Sequence, residues 1–114
     1  MPVTVKQAEG GAFAQMTITS GETGTFWLPV AHGKYVKVGI NDGHGATYNI
    51  LTQLAPFNQR DSRDQAITPN SYTEASAQTG EYAAKFNPAI GNIGIQITGA
   101  PTSDLVFEVS QGAN

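Results

Sequence analysis

The sequence predicts an all-β domain: a two-layer antiparallel β-sandwich, jelly-roll-like, with an Ig-like sandwich or a small barrel as the alternatives. Three observations predict it. Apolar residues recur at every second position in short runs, the period of a strand with one buried face. Thirteen glycines and six prolines are spread along the chain, punctuating those runs with turns. No stretch repeats apolar residues at helical spacing. With 114 residues the chain reads as one domain, 1–114, large enough to bury roughly two-thirds of its unfolded surface.

The clearest apolar ridges lie near the end. Ile93, Ile95 and Ile97 alternate with Gly94, Gln96 and Thr98, and Leu105, Phe107 and Val109 alternate with Val106, Glu108 and Ser110. Gly99 to Asp104 is rich in turn formers, so the two runs read as an antiparallel hairpin with one apolar face. Such a hairpin needs a second layer from the rest of the chain.

From the start, Thr4 to Gln7 form a short strand ended by Gly10-Gly11, and Ala14, Met16 and Ile18 mark a second. Ser20 to Gly24 is a turn. Thr25 to Val30 carries Phe26, Leu28 and Val30 on one face and Trp27 on the other, while Pro29 removes a ladder donor and places the strand toward a sheet edge. Val36, Val38 and Ile40 define the next strand. Asn41-Asp42-Gly43-His44-Gly45 reads as a hairpin turn, with Tyr48 and Ile50 on the returning strand to about Leu54.

The apolar pattern then fades through a polar excursion at about 56–80. An excursion of that length is functional or hides a short strand, placed here as an edge strand over Ala66 to Thr73, with one helical turn at Thr73 to Ala77 as the alternative. Tyr82, Ala84 and Phe86 restore the alternation, and Asn87 to Asn92 turn the chain into its last two strands. The count is about eight or nine short strands.

Composition narrows the chemistry. A net charge of −3 with six Lys and Arg and no basic run argues against nucleic-acid binding. There is no cysteine, so disulfides and thiolate chemistry are excluded. The first residues lack a signal-peptide core, and no apolar run reaches the roughly 18 residues of a membrane span; assembly in a cytoplasm is expected. His32 and His44 are the two histidines, both in predicted turns, and Asp42 beside His44 matches no metal-ligand spacing. No Gly-x-Ser-x-Gly elbow, phosphate loop or dinucleotide fingerprint occurs. The expectation is a non-enzyme with no cofactor and no metal.

Two groups are candidates for partner binding. Trp27 faces away from its strand's apolar side, where it is a second-core aromatic or an interface anchor; Tyr35 and Tyr48 flank it across a sheet in the latter case and build an aromatic platform for a glycan. Arg60-Asp61-Ser62-Arg63-Asp64 holds both arginines. It is a self-neutralising solvated loop or, with Phe57 beside it, a protein-binding loop.

The pattern from Asn92 to Gly112, an Ile-x-Ile-x-Ile strand, a Thr-Gly turn and a Val-Ser-Gln-Gly finish, resembles the closing hairpin of small bacteriophage virion proteins. Size and Gly, Thr and Ala richness are similar to the capsid decoration, or cement, proteins among them. The resemblance implies a virion protein assembled in the host cytoplasm. It would self-associate as a dimer or trimer and bind the major capsid protein or another virion protein on the outer shell. A glycan-binding or receptor-binding module and a tail or neck adaptor are the alternatives.

Overall fold

The alternation resolves into nine β-strands, with no helix among the described residues, in a computed structural model that describes residues 3–7, 13–30, 35–54, 60–86 and 91–112. The strands are β1 (Val3–Gln7), β2 (Phe13–Ile18), β3 (Gly24–Pro29), β4 (Tyr35–Ile40), β5 (Thr47–Gln53), β6 (Ser71–Gln78), β7 (Tyr82–Phe86), β8 (Asn92–Gly99) and β9 (Leu105–Gly112). They form two sheets, one ordered β1-β2-β9-β4-β7 and the other β3-β8-β5-β6, with every pairing antiparallel. Leaving β1 aside, two four-stranded sheets wound in this order are a jelly roll.

The apolar ridges face one another across the interior. One sheet contributes Met16 and Ile18 of β2, Val36, Val38 and Ile40 of β4, and Leu105, Phe107 and Val109 of β9. The other contributes Leu28 of β3, Tyr48 and Ile50 of β5, and Ile93, Ile95 and Ile97 of β8. Phe26, Ala75, Tyr82, Ala84 and Phe86 close the margins half-buried. Burial of this set is the main favourable term holding the sheets together.

Two hairpin expectations are corrected. β8 and β9 are not paired: β8 lies between β3 and β5, β9 between β2 and β4, in opposite sheets. Their ridges meet face to face, so each is the other's second layer. Five connecting residues, 100–104, reach across the roughly 10 Å between packed sheets, and the corner is held where Gly21 N–H donates to Pro101 O at 2.9 Å and Ser20 N–H to Asp104 Oδ1 at 3.0 Å.

Asn41 to Gly45 likewise joins strands of opposite sheets. Its tight turn sits one step later than expected, with His44 (φ 48°) and Gly45 (φ 78°) in the left-handed region and Ala46 N–H closing on Gly43 O at 2.8 Å. Asp42 Oδ1 accepts from His44 N–H at 2.8 Å, and His44 O accepts from both the amide and the hydroxyl of Thr102 at 2.8 and 3.0 Å. The two corners therefore brace each other.

The edge strand in the excursion exists, but as β6, starting at Ser71 rather than Ala66, and it replaces the helical-turn alternative. Its side chains are almost all exposed, which is why no apolar period marked it. Pro29 ends an edge strand as expected.

Candidate functional site

Polar and aromatic side chains gather on the outer faces of the two sheets. On the four-stranded sheet, Trp27, Gly94, Leu51 and Thr73 lie in one row from β3 across β8 and β5 to β6. Gly94 is where the indole rests: a Cβ at this position would lie 2.6 Å from Trp27 Cε3. The missing side chain lets the ring lie against the sheet, half-buried. Leu51 is covered although it points away from the core.

Rows of amides flank this aromatic strip. On one side Asn49 Nδ2 donates to Gln96 Oε1 at 2.9 Å, while Asn49 Oδ1 accepts from the Ala77 amide at 2.7 Å. On the other, Asn92 Nδ2 donates to Gln53 Oε1 at 3.0 Å and Gln53 Nε2 to Ser71 Oγ at 3.2 Å. No ionisable side chain stands in these three rows. Cross-strand bonding locks the amides in place; Asn92 and Gln53 are buried, and the half-exposed Asn49 and Gln96 leave a neutral surface beside the Trp27 ring.

The five-stranded sheet presents a different face. Lys37 of β4 is directly opposite Lys85 of β7 and, on its other side, Ser110 of β9; Tyr35 is opposite Gly112. The Lys85 ammonium sits 4.6 Å from the centre of the Tyr35 ring, a cation–π contact. Tyr35, Lys37, Lys85, Ser110 and Gly112 line an open depression of about 310 Å³. A smaller one, about 150 Å³, adjoins it between Phe13 and Glu108, and there Gln15 Nε2 donates to the Glu108 carboxylate.

The expected platform of Trp27, Tyr35 and Tyr48 is not assembled. Tyr48 is fully buried, its hydroxyl donating to Gly80 O at 2.7 Å and its ring meeting Tyr82 edge-on at 6.5 Å. Tyr35 and Trp27 lie on opposite outer faces of the sandwich. Burial, and secondarily the neighbouring Tyr82, pushes the Tyr48 phenol up to about 12. Burial and then the Glu74 carboxylate raise Tyr82 as well. Glu74, in the middle of β6 where its register against β5 is irregular, accepts from Thr52 Oγ1 at 2.7 Å.

Phe57 and His32 lie outside the described residues. Arg60 is turned back on its own loop, Nη1 donating to Asp64 O at 2.7 Å and Nε 3.7 Å from Asp64 Oδ1. Asp61 Oδ1 accepts from the amides of Arg63 and Gln65 at 2.8 and 2.9 Å. Arg63 is exposed.

Among the described residues no three His, Asp or Glu side chains converge to hold a metal, and no helix is long and apolar enough to cross a membrane. Sequence reasoning overlooked Gly94, the amide rows and the lysine pair. Except for Asn92, which the sequence places in a turn and the structure at the start of β8, they stand at outward positions of expected strands, but which outward positions are neighbours depends on strand order.

No protein-family model and no curated protein matches the chain. Solved structures do. One is the Cupin_2 domain of an XRE-family transcriptional regulator from Enterobacter cloacae, 12% identical, covering 100% of this chain and 99% of that one at a TM-score of 0.46. A second is PliG of Aeromonas hydrophila, a periplasmic inhibitor of g-type lysozyme, 22% identical, covering 94% and 92% at 0.47. A third is the carbohydrate-binding module TmCBM61 in complex with β-1,4-galactotriose, 11% identical, covering 99% and 83% at 0.42. These are likenesses of fold, and the jelly roll itself rests on the strand order.

Proposed function

We propose that this chain is a non-catalytic binding module whose place is the exterior of a bacteriophage capsid, where it decorates and braces the shell. The observation that supports the reading is where the chemistry lies. Packed aliphatic and aromatic side chains fill the interior, and the polar groups spread over two broad outer faces instead of converging on a cleft. Broad faces suit adhesion, whereas turnover needs acids, bases or nucleophiles held around one reacting atom. The virion assignment comes from the resemblance of residues 92–112, and the partner it implies is the major capsid protein or a neighbouring virion protein. Self-association as a dimer or trimer would multiply a modest contact through avidity.

Co-sedimentation with capsids stripped of accessory proteins tests this reading. Bound protein and a raised temperature of capsid rupture are expected. A chain that is monomeric by light scattering and leaves capsids unbound and unprotected overturns it.

A second reading is favoured by one observation, the Trp27 ring laid on Gly94 beside the half-exposed Asn49–Gln96 pair. An aromatic face flanked by fixed hydrogen-bond donors and acceptors suits a neutral sugar ring. A glycan array with Trp27→Ala as control decides it: a hit that the variant loses supports glycan binding, and an array without hits removes it.

A further inference from the structure

We infer that the depression on the five-stranded sheet, formed by Tyr35, Lys37, Lys85 and Ser110, is a binding site for a carboxylate-bearing sugar residue. Lys37 and Lys85 occupy directly opposed positions on antiparallel strands, where like charges repel and destabilise the pair. An anion between them reverses that sign. The cations are conspicuous because the chain as a whole carries −3.

Among the described residues none that lines the depression is acidic, and the nearest carboxylate along β9, Glu108, already accepts from Gln15. Tyr35 holds the Lys85 ammonium 4.6 Å from its ring centre, so one of the two charges is positioned before a ligand arrives. Ser110, opposite Lys37, adds a hydroxyl that can donate or accept. The volume, about 310 Å³, is at the small end of ligand pockets and suits about one sugar ring.

The occupant is a sugar acid rather than an acidic peptide because of where the site lies. Peptides that add to sheets take their affinity from backbone pairing at an edge. Here the depression opens on the face, centred over β4, whose ladders are paired on both sides, with Lys85 reaching in from the edge strand β7; a peptide added to the β7 edge would lie beside the depression instead of in it. This site is separate from the neutral Trp27 surface on the other sheet.

The test is calorimetric titration of the full chain at low salt with trigalacturonate, its methyl ester, the neutral galactose trimer and a glutamate-rich peptide. Lys37→Gln and Lys85→Gln probe the site. Lys6→Gln is the control, exposed on the same outer face but on β1, three strands from Lys37. The wild-type chain is expected to bind trigalacturonate, with affinity falling as salt is added. Each site variant should weaken it about tenfold, the value of one charge-assisted hydrogen bond, with Lys6→Gln unchanged and the ester and neutral trimer unbound. Circular dichroism checks that the exposed substitutions keep the fold. No binding at millimolar trigalacturonate, equal loss in Lys6→Gln, or tighter binding of the peptide each overturns the proposal.

Discussion

Gly94 and Trp27 show how much of the outer surface turns on one side chain. A methyl group at position 94 would enter the space of the indole, so Gly94→Ala must lift the ring from the sheet or shift a strand at the sheet's centre. The expected cost is about 1–3 kcal/mol, read as a lower denaturant midpoint together with a change in tryptophan fluorescence. Trp27→Ala should abolish that fluorescence change. Tyr48 makes a second point at this scale. Its neutral form is buried and donates to Gly80 O, and its pKa is pushed up to about 12 from 10. A group whose folded pKa is raised contributes stability that is complete below its unfolded pKa and vanishes as pH rises through the folded value. Stability should therefore be insensitive to this group below pH 10 and fall between pH 10 and about 12, followed by circular dichroism with phenolate absorbance. Tyr48→Phe should shrink that alkaline step to the part that Tyr82 contributes, while lowering stability at neutral pH because the Gly80 carbonyl loses its partner.

The strands differ in what holds them. β8 and β9 are central in their sheets and line the core on one face, so their amides open only with the whole fold. β6 and β1 each pair on one side and are largely exposed. Hydrogen exchange should accordingly be slowest in β8 and β9 and fastest in β1 and β6; protection of β6 equal to that of β8 would contradict this ordering. The edges are managed in different ways. β6 carries polar side chains and an irregular register against β5 around Ile50, which discourages pairing with another chain. β3 ends in Pro29, which offers no donor.

In the whole molecule, nearly all connections cross from one sheet to the other, so strands adjacent in sequence are seldom ladder partners. β1–β2 and β5–β6 are the consecutive pairs that do bond to each other. Folding must close many long loops before non-local pairing rewards it, so refolding in milliseconds to seconds is expected by stopped-flow fluorescence of Trp27. The arrangement also explains two opposite surfaces of unlike character. One carries a neutral aromatic strip between amides, the other a lysine pair beside an aromatic ring.

Much of the architecture was legible because periodicity is local. The alternation in Ala14-Met16-Ile18, Val36-Val38-Ile40, Ile93-Ile95-Ile97 and Leu105-Phe107-Val109 dictates strands and says which side chains go inward, since an inward polar group without a partner is costly. Pro29 at an edge follows from its missing donor. What local pattern does not contain is pairing. The turn chemistry of Asn41 to Gly45 and Gly99 to Asp104 suits a hairpin and a corner between sheets equally well. Only the packing of two apolar ridges against each other decided that β8 faces β9 instead of bonding to it. For the same reason the tertiary fold alone buried Tyr48, separated Tyr35 from Trp27 and set Lys37 against Lys85. A residue's side of its strand is written in the chain, whereas its neighbour across the sheet is chosen by the arrangement that covers the most apolar surface.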